Sequence, residues 1–91
     1  MSTMNQLTQL LVDLVAIDSV NPDLVPGAAG EAEIAQFVAD WLTKAGLEVT
    51  IDEVAPGRPN VIGIVRGTAQ DHSRGKSLML NAHTDTVGVA G

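Results

Sequence analysis

Apolar positions along this chain follow first one period and then another. From Leu7 they recur at three- and four-residue spacing through Leu10, Leu11, Leu14 and Ile17, which marks one face of a helix. Thr3 followed by Gln6 has the form of a capping box. The pattern predicts a helix to about Asp18, stopped at Asn21-Pro22 because the residue before a proline is pushed out of the helical region. Ile34, Phe37, Val38, Trp41, Leu42 and Ala45 form a second stripe. Glu31 and Glu33 sit in its first turn and Lys44 in its last, as the helix dipole favours. Gly46 follows as a left-handed cap. Phe37 and Trp41 lie on the stripe and are read as core.

The period then shortens to two. Leu47, Val49 and Ile51 alternate with Glu48, Thr50 and Asp52, the signature of a half-exposed strand. Ala55-Pro56-Gly57-Arg58-Pro59 makes a turn, and Val61, Ile62, Ile64 and Val65 follow as a strand apolar on both faces around Gly63. So short a connection predicts an antiparallel hairpin. Gly67 to Lys76 reads as a polar loop, with His72 exposed. Leu78 to Ala82 reads as a third strand buried on both sides. Asp23 to Gly30 lacks the glycine spacing of a phosphate cradle and reads as a flexible connection.

The expected fold is α/β, with two helices packed on a mixed three-stranded sheet in the order helix-helix-strand-strand-strand. Strands apolar on both faces need a layer on each side, and two helices are too few to supply both. Ninety-one residues therefore read as an N-terminal piece of a larger catalytic domain.

Composition narrows the function. Net charge is −6 with only five Lys or Arg, too few grouped cations for a nucleic-acid surface. The absence of cysteine excludes disulfides and thiolate metal sites. No apolar run approaches the roughly 20 residues of a spanning helix. Met1 to Gln9 carries no basic residue, which argues against a secretory signal and makes a cytoplasmic protein the default.

Chemistry concentrates where Leu78-Met79-Leu80 gives way to Asn81, His83, Thr84, Asp85 and Thr86. Reactive groups in α/β proteins gather past the carboxyl ends of buried strands. Residues two apart in extended chain point the same way, so His83 and Asp85 project together. A carboxylate that fixes one imidazole nitrogen while a metal takes the other is the usual arrangement at a metal-binding histidine. His83 is thus the candidate ligand and Asp85 the acid that orients it. By itself, a His-x-Asp pair also fits a plain surface hydrogen bond.

The segment Leu78-Met79-Leu80-Asn81-Ala82-His83-Thr84-Asp85-Thr86-Val87 resembles the first signature of the zinc-dependent deacylase and carboxypeptidase family, which includes acetylornithine deacetylase, succinyl-diaminopimelate desuccinylase, aminoacylase and glutamate carboxypeptidase. Ile17-Asp18-Ser19-Val20-Asn21-Pro22, Ala45-Gly46-Leu47-Glu48-Val49 and Arg58-Pro59-Asn60-Val61-Ile62-Gly63 support the likeness in the same order. The resemblance implies a phosphorylase/hydrolase-like zinc-peptidase catalytic domain holding two zinc ions, with cobalt or manganese as alternatives. His83 would ligate one metal, and Asp85 would be the catalytic-site carboxylate that orients His83. The implied reaction is hydrolysis of the amide of an N-acyl amino acid or peptide-like substrate, and the resemblance also implies a homodimer for the complete protein. The family's bridging aspartate, its general-base glutamate and its other ligands have no match within residues 1–91, so this stretch alone is expected to be inactive. Two other readings compete: a non-catalytic homologue serving as a binding or assembly module, and an unrelated small α/β domain.

Overall fold

A computed structural model of the chain describes residues 3–67 and 75–88. In chain order it contains helix α1 (Thr3–Val15), helix α2 (Ala32–Lys44), strand β1 (Glu48–Ala55) and strand β2 (Arg58–Ile64). Helix α1 ends earlier than its apolar stripe. The Ala16 N–H makes the last four-residue bond, to Val12 O at 3.0 Å, and Ile17 N–H closes a tighter turn on Leu14 O at 3.2 Å. Leu10, Leu14 and Ile17 are half-buried, whereas Leu7, Leu11, Val12 and Val15 face outward. The expectation that both helices cover the sheet is corrected. Only α2 packs substantially on β1 and β2.

Helix α2 ends as its sequence predicts. Gly46 takes φ +95°, its N–H reaches Thr43 O at 3.0 Å, and Leu47 N–H reaches Leu42 O at 3.1 Å. This pair of bonds is a Schellman motif, and the left-handed residue it needs carries no Cβ penalty when it is glycine. Ile34, Ala35 and Ala39 form the buried core. Trp41, read as core from its spacing, is 43% exposed, and Phe37 is only half-buried. At about 100° per residue, these two aromatics lie between a third and nearly half a turn away from Ala35 and from Ala39.

Strands β1 and β2 pair antiparallel, with Glu48 opposite Ile64 and Ile51 opposite Val61. The register slips between Glu53 and Ala55 next to Pro59, a position where a residue without an N–H is tolerated. Gly63 explains how α2 comes so near. A Cβ there would lie 3.0 Å from Leu42 Cδ1 and 3.0 Å from Leu47 Cδ2.

The third strand is not present among the described residues, and the sheet is two-stranded rather than mixed and three-stranded. Leu78, Met79 and Leu80 are 85%, 85% and 87% exposed. Apolar, unalternating sequence suits a strand, but a strand exists only through ladder bonds to a neighbour, and none reaches 78–82. The Cα radius of gyration is 15.9 Å, against about 12 Å for a compact chain of this length. No helix among the described residues is long and apolar enough to cross a membrane.

Candidate functional site

Past the exposed apolar run, the chain returns to the body of the protein at one place. Val20 and Thr86 form an isolated parallel bridge, with Thr86 N–H on Ser19 O and Asn21 N–H on Thr86 O, both at 2.9 Å. The Ser19 side chain is buried, and its hydroxyl donates to Thr84 O at 2.9 Å. These three bonds fasten 84–86 to 19–21.

The fastening carries His83 and Asp85 with it. His83 Nδ1 lies 2.9 Å from Asp85 Oδ1 and 3.1 Å from the Asp85 backbone oxygen. Both neighbours only accept, so in the neutral ring Nδ1 is the nitrogen that bears the hydrogen and Nε2 the one with the lone pair. The His83 side chain is 85% exposed and the Asp85 side chain 28%, so the ring stands outward on a carboxylate that is partly sunk. Asn21 Nδ2 donates to the other carboxylate oxygen, Asp85 Oδ2, at 2.8 Å. Hydrogen bonding from Asn21, reinforced by His83, holds the Asp85 carboxyl below the usual carboxylate range, against the opposing effect of partial burial.

Asn21 stands just before the Asp23–Gly30 connection, and the two are joined by several hydrogen bonds. Asn21 Oδ1 accepts from Asp23 N–H at 2.8 Å, and Asn21 O accepts from Leu24 N–H at 3.1 Å and Val25 N–H at 3.0 Å. Gly30 N–H reaches Val20 O at 3.0 Å. Arg58, at the start of β2, ties the loop to α2. It grips Glu31 at 2.5 and 2.7 Å and reaches Asp23 at 3.1 Å. The grip of Glu31 raises the Arg58 pKa further above its already high value. Glu31 is buried and makes no side-chain cap on the helix it precedes; its carboxylate is given over to Arg58.

The sequence therefore located the His83–Asp85 pair but assigned no role to Asn21, Ser19 or Arg58. Asn21 was visible as a helix stop before Pro22 and as part of the Ile17–Pro22 segment, with no role of its own in either. Its bond to Asp85 spans 64 positions, beyond any local pattern. His72 lies outside the described residues.

The donor set fits a first-row metal in kind, since an imidazole backed by a carboxylate is a ready nitrogen ligand. It does not complete a site. Among the described residues, no group of three or more His, Cys, Asp or Glu converges.

No protein-family model matches the chain, and no solved structure matches it. Two curated proteins do. The chain is 33% identical over 84 residues to an N-formyl-4-amino-5-aminomethyl-2-methylpyrimidine deformylase of Halalkalibacterium halodurans. It is 31% identical over 84 residues to the protein of the same name in Bacillus subtilis. Each match takes in 92% of this chain, which spans 18% of the relative's length. These relatives overturn the resemblance to the zinc-dependent deacylase and carboxypeptidase family: the likeness runs to deformylases, not to the deacetylase, desuccinylase, aminoacylase or carboxypeptidase activities. A His-x-Asp pair after an apolar run carries nothing that would select one substrate over another.

Proposed function

We propose that the chain forms part of a metal-dependent amide hydrolase that removes a formyl group from the nitrogen of a small amine. The observation that carries this reading is the His83 ring, whose Nδ1–H is committed to Asp85 while Nε2 faces solvent. The two deformylases that the chain resembles support the choice of a formamide as the bond broken. A formyl group on nitrogen is an amide, so the chemistry is that of any acyl-nitrogen hydrolysis.

In this reading His83 holds the metal through Nε2, and Asp85 keeps the ring in the tautomer and orientation that ligation requires. A bound divalent ion such as zinc supplies carbonyl polarisation and lowers the pKa of its water to about 7. A catalytic zinc takes about three protein ligands, and the described residues offer one. The 91 residues alone are therefore expected to bind zinc weakly and to hydrolyse nothing.

The test is formate release from N-formyl-4-amino-5-aminomethyl-2-methylpyrimidine by the protein at the full length in which it occurs. Wild type and His83→Ala are compared, each before and after chelation and again with zinc restored. Release that chelation abolishes, zinc restores and His83→Ala eliminates supports the proposal. Release indifferent to chelation, or to His83→Ala, rejects it.

A further inference from the structure

The geometry points to Asn21 as the positioning residue that sets the tautomer and direction of the His83 ring, acting through Asp85. This assignment rests on the reading of His83 as a metal ligand and adds the residue that makes its free nitrogen dependable.

Asn21 is unusually well fixed for a residue in a loop. Its backbone N–H bonds Thr86 O, and its backbone O accepts from Leu24 and Val25. Its side-chain Oδ1 accepts from Asp23 N–H at 2.8 Å, an Asx turn. That last contact decides which way the amide faces. With Oδ1 committed to a donor, Nδ2 must lie opposite, where it meets Asp85 Oδ2 at 2.8 Å. The amide therefore cannot flip without losing both bonds.

Asp85 has two oxygens, and both are engaged by side chains: Oδ2 by Asn21, Oδ1 by His83. A carboxylate held at one oxygen only can swing about its side-chain torsions. Held at both, it presents Oδ1 in one direction, and an imidazole hydrogen-bonded to it inherits that direction. Ser19 does a different job. Its hydroxyl bonds Thr84 O and so docks the segment without touching Asp85. The two residues can therefore be separated by experiment.

The measurement is the ¹⁵N shift of both His83 ring nitrogens, taken on the metal-free protein at the full length in which it occurs, on the alkaline plateau where the shifts no longer change with pH. Asn21→Ser retains a short oxygen that can accept from Asp23 N–H but cannot reach Asp85. Asn21→Ala removes both contacts. Ser19→Ala leaves the Asn21–Asp85 bond intact. In the wild type the two ring shifts should be far apart, with Nδ1 protonated. In Asn21→Ser they should draw together as the tautomers mix, while the Thr86 amide keeps its wild-type shift. Ser19→Ala should leave the ring at wild-type values. The assignment is overturned if the ring in Asn21→Ser matches the wild type, or if Ser19→Ala moves it as far. It is equally overturned if Asn21→Ser and Asn21→Ala both release the Thr86 amide, since Asn21 would then dock the segment rather than orient the carboxylate.

Because no metal is present, these outcomes are independent of the hydrolase reading. That reading fails separately if zinc, added to the full-length protein, leaves the His83 ring resonances unmoved.

Discussion

The buried hydroxyl of Ser19 donates to the carbonyl of Thr84 at 2.9 Å across 65 positions of chain. With the two backbone bonds of the Val20–Thr86 bridge, it fastens the segment that presents His83 to the body of the molecule, although no ladder among the described residues holds 78–82.

Ser19→Ala should weaken that docking by about 1 kcal/mol, the usual net value of one protein hydrogen bond, with a further share from the Thr84 carbonyl left partly unsatisfied. Two backbone bonds remain, so the segment stays docked on average. The expected reading is a roughly 5–10-fold faster hydrogen exchange at the Thr86 amide, with global stability nearly unchanged. Exchange at the wild-type rate would show that the hydroxyl contributes nothing.

Asp85→Asn tests the acid beside the ring. A neutral amide has one acceptor oxygen and one NH₂, so it can serve His83 or Asn21 in the manner of the carboxylate, but not both. Losing such a partner of a metal-binding histidine typically costs about 10–100-fold in metal affinity or activity. On the proposed hydrolase reading, zinc affinity and formate release by the full-length protein should both fall by that factor, with unfolding midpoints unmoved. A fall in stability as large as the fall in activity would make Asp85 a structural residue.

Gly63→Val probes the contact between α2 and β2. The new side chain begins 3.0 Å from Leu42 Cδ1 and 3.0 Å from Leu47 Cδ2, inside ordinary contact distance. Overpacking of this kind costs about 1–3 kcal/mol, and valine's better strand propensity recovers less than that. Urea denaturation should show the loss, and shortening the neighbour in Gly63→Val/Leu42→Ala should return part of it. A more stable Gly63→Val would mean that the two leucines move aside freely.

The parts of the fold legible in the sequence are those decided within a few residues. Both helices, the Gly46 cap and the hairpin answer to local spacing, and so does His83 meeting Asp85 two positions on. What was not legible depends on distant partners. Leu78-Met79-Leu80 has the composition of a buried strand, yet composition cannot supply the neighbour whose N–H and C=O groups a strand needs. Trp41 keeps the helical period but sits on a flank of α2 that leaves it 43% exposed. Asn21 looks like a stop before Pro22 until Asp85 arrives beside it. Arg58 looks like a turn residue until Glu31 and Asp23 close on it.

The exposure of Leu78, Met79 and Leu80 has its own consequence. Contiguous apolar side chains in unpaired extended backbone invite pairing with another chain. The 91-residue protein should self-associate with rising concentration, seen by light scattering, and Met79→Glu should suppress it by placing a charge within the run. Scattering that stays monomeric at high concentration would show that net charge of −6 suffices to keep copies apart.

The Arg58–Glu31 pair yields a prediction whose sign is the test. Glu31 is buried at the start of α2, and Arg58 meets it with two parallel bonds, the forked geometry that suits guanidinium to carboxylate. Removing one member of such a pair leaves a charge in a place that water reaches poorly, and that is worse than having no charge there at all. Arg58→Ala should therefore lower the unfolding midpoint clearly, whereas Asp23→Asn, which touches only the exposed arm of the cluster, should lower it little. The double variant Arg58→Met/Glu31→Leu should be more stable than Arg58→Ala despite carrying one more change, because it removes the orphaned carboxylate as well. Thermal unfolding of the three variants side by side decides it. A double variant less stable than Arg58→Ala would mean that Glu31 is accessible enough to be solvated without its partner, and that the loop from Asn21 to Gly30 is held chiefly by its backbone bonds to Val20 and Thr86.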